Sequence, residues 1–106
     1  MKKALLFLQV SILSSVLFAD NENYDGQDVS GDNFSSRQLE KSSWDSATAI
    51  GTNFSSSNLR KADFSNANLT SANFKGAFLT SAYFWDAIIT GADFSNTLIQ
   101  ATQIES

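Results

Sequence analysis

Every fifth residue from Val29 onward is apolar. The series runs Val29, Phe34, Leu39, Trp44, Ala49, Phe54, Leu59, Phe64, Leu69, Phe74, Leu79, Phe84, Ile89, Phe94, Ile99 and Ile104. With 42% of the chain hydrophobic, a random sequence would achieve this roughly once in a million trials. A period of five fits neither an amphipathic helix at 3.6 nor a flat strand at 2, so the chain has to turn a corner once per repeat. Four corners close a square coil, and residues twenty apart then stack in neighbouring coils at a spacing of about 4.8 Å. The columns this predicts are coherent. One reads Phe34, Phe54, Phe74, Phe94; a second Leu39, Leu59, Leu79, Ile99; a third Trp44, Phe64, Phe84, Ile104; the fourth Val29, Ala49, Leu69, Ile89.

Two residues before each of these centres lies a second, tighter slot. Ala47, Ala62, Ala67, Ala72, Ala77, Ala82, Ala87 and Ala92 fill it, which accounts for most of the alanine in the repeat region. Between the inward positions stand Ser, Thr, Asn, Asp, Gly and Lys, the residues of turns and wet surfaces. Gly31, Gly51 and Gly91 share one corner column with Ser71, pointing to a backbone that glycine adopts freely. Asn33, Asn53, Asn73 and Asp93 form a polar column, expected to ladder amide hydrogen bonds up one wall.

Segments such as Ala62-Asp63-Phe64-Ser65-Asn66, Ala67-Asn68-Leu69-Thr70-Ser71 and Ala72-Asn73-Phe74-Lys75-Gly76 resemble the A(D/N)LXX motif of the pentapeptide-repeat family. The resemblance is strong from Thr52 to Thr97 and degenerate earlier, where Gln27, Asp32, Arg37 and Ser42 replace the inward alanine. It implies an all-β fold, a right-handed quadrilateral β-helix of about four coils. The expected layout is a signal peptide over 1–19, an acidic N-terminal tail or cap over 20–26, and the β-helix over 27–106.

The signal is read from a positive start at Lys2 and Lys3, an apolar run over 4–18, and the small residue Ala19 before Asp20. Cleavage there leaves an exported product, periplasmic or extracellular. The apolar run is shorter than the ~20 residues of a membrane span, so no stable span is expected after cleavage. The whole chain carries a net charge of −4, and loss of the two lysines makes it −6.

Chemistry is narrowed by what the chain lacks. It contains no cysteine and no histidine, which removes disulfides, thiolate and imidazole catalysis, and imidazole metal sites. A core of Phe and Leu offers no cleft in which a nucleophile could meet a base. Asp25, Asp28 and Asp32 do not have the spacing of a calcium loop. No enzyme activity, cofactor or metal is expected, and an acidic product is not expected to bind nucleic acid.

Two binding roles remain. The favoured one is an exported structural or protein-binding module acting through its C-terminal coils. The alternative comes from the resemblance: some family members mimic duplex DNA and bind type II topoisomerases, which requires rows of carboxylates, whereas Asp45, Asp63, Asp86 and Asp93 are scattered. Phe78, Tyr83, Ile88 and Leu98 occupy the outward slot before the central residue, where the other repeats carry polar groups, and Trp85 follows Phe84 on the outside. Together with Ile104 at the coil end they form a candidate interface, for a partner protein or for a homodimer through the C-terminal coil. Below them Arg37, Lys41, Arg60 and Lys61 share one wall, with Glu40 stacked on Arg60 in an expected charge pair.

Overall fold

The computed structural model describes residues 21–102. Twelve isolated parallel bridges, from Asn23–Ser43 to Phe78–Leu98, each join a residue to the one twenty positions later. One circuit of the chain therefore takes twenty residues and has four bridged walls. The fold is an all-β solenoid in which successive circuits, 22–41, 42–61, 62–81 and 82–101, lie one above the next. Long strands do not form among the described residues, because each wall supplies a single bridged residue before the next corner arrives.

Each corner is a tight turn. The amide of the small-slot residue donates to the carbonyl of the preceding centre, as from Ala72 to Leu69 at 3.0 Å and from Ala77 to Phe74 at 2.9 Å. The third residue of each turn has positive φ, the mark of a type II turn. Glycine supplies that conformation at Gly26, Gly31, Gly51, Gly76 and Gly91, but twelve corners use other residues, including Lys41 at 64° and Lys61 at 61°. An L-residue in this region costs roughly 1–2 kcal/mol, so ladder bonds and core packing have to impose it. They do so in a fixed pattern. The amide of each centre donates to the next circuit (Phe54 to the Asn73 carbonyl, 2.7 Å), and the amide of each bridged residue donates to the previous one (Asn53 to the Asp32 carbonyl, 3.0 Å).

Inside, two aromatic columns run side by side. Phe34, Phe54, Phe74 and Phe94 stack with centroids 5.7, 4.9 and 4.9 Å apart. Tyr24, Trp44, Phe64 and Phe84 stack at 4.2, 5.5 and 5.1 Å. Across the coil the columns meet edge to face, as Phe64 meets Phe74 at 5.4 Å and 89°. Such pairs add about 0.5–1.5 kcal/mol beyond area burial. Leucines and alanines close the remaining walls, and Phe54, Leu59, Phe64, Leu69, Phe74 and Leu79 are fully buried. Where serine or threonine replaces the small-slot alanine, its hydroxyl is bonded. Ser42 and Ser57 donate to the carbonyls of Leu39 and Phe54, and Thr52 reaches the Val29 carbonyl at 2.8 Å. A buried polar group without such a partner would cost about 1–3 kcal/mol.

Two expectations change. The repeat begins earlier than residue 27: Asn23 is bridged, and Tyr24 is buried over Trp44, so the segment read as a tail or cap is the first pentad of the coil. A centre at position 24 was legible in the same five-residue series, one step before Val29. The first circuit also keeps Val29, Phe34 and Leu39 buried although Gln27, exposed, and Asp32 and Arg37, half-buried, replace the small-slot alanine. The asparagine column, finally, does not ladder. The side-chain oxygens of Asn33, Asn53, Asn73 and Asp93 each accept the amide two residues on, closing a local turn. The reading of residues 1–19 as a signal lies outside the described residues.

Candidate functional site

The turn bond made by those asparagines is general. At the bridged position, Asn23, Asp28, Asn33, Asn53, Asn58, Asp63, Asn68, Asn73 and Asp93 all accept the amide two residues on. Asp28 and Asp93 are fully solvated, and hydrogen bonds from Ser30 and Ser95 hold their carboxyls below the usual range. The position therefore has a structural task, capping the corner that follows.

Phe78, Tyr83, Ile88 and Leu98 abandon it. They offer the corner no oxygen, and each is exposed, at 39, 41, 50 and 43%. The switch runs from 78 to 98, across the upper two circuits, and covers three consecutive walls; Asp93 on the fourth keeps the turn bond. Phe78 and Leu98 are bridged to one another and stack in adjacent circuits. Of the other residues expected here, Trp85 is half-buried rather than exposed, and Ile104 lies outside the described residues. Two exposed side chains were missed. Ile99 is a central residue left open at the top of the coil, and Ile50 stands one place after its centre, where the sequence elsewhere carries mostly polar residues.

The basic wall sits directly below this band. Arg60 does not behave as the charge partner expected for Glu40: its guanidinium donates to the Asn58 side-chain oxygen at 3.1 Å and lies over the Phe78 ring, 4.7 Å from the centroid. The sequence placed these residues on one wall; the ring contact needed the structure. Arg37 similarly covers the edge ring of the core, Phe34, at 5.2 Å.

Among the described residues no group of His, Cys, Asp and Glu is arranged to hold a metal ion. No helix among them is long and apolar enough to cross a membrane.

The pentapeptide-repeat family model matches residues 50–86 with eight copies of the repeat, the stretch in which centre, small slot and corner are most regular. The chain carries pentapeptide repeats over these residues. Among solved structures it is similar to a pentapeptide repeat protein from the Arabidopsis thaliana thylakoid lumen. That likeness has 29% identity and a TM-score of 0.58 over 74% of this chain and 62% of that one, so the chain spans less than two thirds of that protein's length. It is also similar to the pentapeptide repeat protein Rfr23 from the cyanobacterium Cyanothece 51142, at 20% identity and a TM-score of 0.57, covering 100% of this chain and 96% of that one. The second likeness concerns the fold alone. No curated protein matches the chain.

Proposed function

We propose that this pentapeptide-repeat protein is an exported, non-enzymatic module that binds another protein through its C-terminal coils. One observation carries the reading: four of the five bridged positions from 78 to 98 give up their capping oxygen, and the replacements place large apolar groups in water. A solenoid gains nothing from that exchange on its own, and a local rule broken without structural return marks a functional surface. The band covers three walls rather than a single point, as a contact surface requires.

Export rests on the N-terminal pattern of residues 1–19 and is supported by the likeness to a protein of the thylakoid lumen. On the same reading the solenoid is right-handed, has four coils and follows a cleaved signal. The DNA-mimic alternative needs rows of carboxylates. In the twenty-residue register no column of described residues holds more than two, and Asp25 with Asp45 is the column that does.

The test is affinity capture from the exported fraction with wild type and with Phe78→Asn/Leu98→Asn, which restores two turn acceptors while removing the apolar stack. The wild type, beginning near Asp20, is expected to retain a partner, or a second copy of itself, that the variant loses. Equal recovery by both, or a native protein that keeps Met1, would sink the reading.

A further inference from the structure

The wall formed by residues 37–41, 57–61, 77–81 and 97–101 differs from the others in its charge. Four of the five cations in residues 21–102, Arg37, Lys41, Arg60 and Lys61, lie on its two lower levels. Glu40 is the one carboxylate there. The two upper levels carry Phe78 and Leu98, with exposed Ile99 beside them. The wall is thus basic for half its height and apolar for the other half, on a protein that holds nine carboxylates against five cations over these residues.

Neither half is accounted for by the fold. Lys41 and Lys61 stack in adjacent circuits, like charge on like charge, and each holds a positive φ that asparagine or glycine would adopt more easily. The halves are joined by Arg60, whose guanidinium rests on Phe78.

We infer that this wall is a track for an extended, acidic-then-apolar peptide segment of a partner protein. Its four levels span three spacings of about 4.8 Å, or ~14 Å, which an extended chain covers in about four to five residues at ~3.3 Å each. Carboxylates of such a segment would meet Lys41, Lys61 and Arg60, and the following apolar side chains would lie along Phe78 and Leu98. An anionic membrane is the weaker fit. Entry into lipid would drag the Arg60 guanidinium in with Phe78, at the cost of desolvating a charge. The net negative charge of the protein also opposes long-range attraction to such a surface.

This inference rests on the protein-binding reading and is tested apart from it. The probe is a fluorescent peptide, Glu-Asp-Glu-Asp-Ser-Leu-Phe-Leu, titrated against the full chain by anisotropy, with a charge-reversed peptide (Lys-Arg-Lys-Arg-Ser-Leu-Phe-Leu) and phosphatidylglycerol vesicles as comparisons. Saturable binding to the acidic peptide is expected, weakening as salt rises and falling at least tenfold in Lys41→Asn/Lys61→Asn and in Phe78→Asn. The lysine double variant keeps residues that tolerate positive φ, so its fold is retained and circular dichroism checks this. Equal binding of the two peptides, binding to vesicles alone, or no binding would overturn the inference. If capture of a native partner is lost in Phe78→Asn/Leu98→Asn but unchanged in the lysine double variant, the acidic track is wrong and the protein-binding reading survives.

Discussion

The first and last circuits carry the same inward pattern and meet water differently. Tyr24, Val29, Phe34 and Leu39 are 8, 1, 3 and 0% exposed, whereas in the last circuit only Phe84 is comparably covered, and Ile99 is 48% exposed. Outside, the contrast is chemical. The bridged positions of the lower two circuits hold Asn, Asp, Gln, Ser and Thr; those from 78 upward turn apolar at four of five places. Inward positions are under one demand, to fill the coil, and vary little along it. Outward positions answer only to the turn beside them, so a second demand can rewrite them locally.

The sharpest way to break this comparison is to remove a ring from the middle and from the top of one column. Phe74 is fully buried between Phe54 and Phe94, 4.9 Å from each. Phe74→Ala is expected to cost about 3–5 kcal/mol by cavity formation, enough to unfold so small a domain. Phe94→Ala, at a half-buried site with one stacking neighbour, is expected to cost clearly less. Equal losses in urea melts followed by circular dichroism would mean that the top of the coil is as closed as its centre.

The lower end has its own probe in Tyr24. Burial first, then the bond it donates to Glu22 at 2.6 Å, holds its phenol well above the usual 10.0. A group whose folded value is raised stabilises the fold fully below its unfolded value, so this contribution is present to about pH 10 and is lost as pH climbs toward the folded value. Wild type is therefore expected to lose more thermal stability between pH 8 and 11 than Tyr24→Phe, which differs from it only by the hydroxyl. Identical alkaline losses would mean that the Tyr24 hydroxyl reaches water, and that the two ends are alike.

The smallest effect is expected at the rewritten surface. Phe78→Asn loses the Arg60 contact and regains the turn acceptor, so its stability should stay within about 0.5 kcal/mol of wild type, as at ordinary surface sites. A loss comparable to that of Phe74→Ala in the same melts would show that Phe78 is core, and would remove the ground for treating its exposure as functional.

Much of this was legible in the sequence because the constraint is periodic. One residue in five must be apolar, and a partner twenty places away must match it, so Phe34, Phe54, Phe74 and Phe94 announce their own stacking. Tyr24 was hidden by its acidic neighbours Glu22 and Asp25, which composition reads as a tail although the period includes them. The asparagine column was visible as a column, but its bonding was not: an amide can pair with the residue stacked on it or with its own backbone, and the type II corner brings the second within 2.9 Å at Asn33, Asn53 and Asn73. Ile99 was placed inside by the period, which carries no information on how well an end coil is covered. The cation over Phe78 depends on where Arg60 swings, which no spacing rule sets.

A fixed register of twenty also gives the chain a reading frame. Deleting one residue would turn every later centre into a corner neighbour and push rings into water along the rest of the solenoid. Deleting residues 42–61 would instead set Phe64 over Tyr24 and Phe74 over Phe34, with each column and corner still in phase. Length in this molecule is therefore a quantised variable, and the height at which the apolar band stands above the lower end can change only in whole circuits, as a mark moves along a ruler.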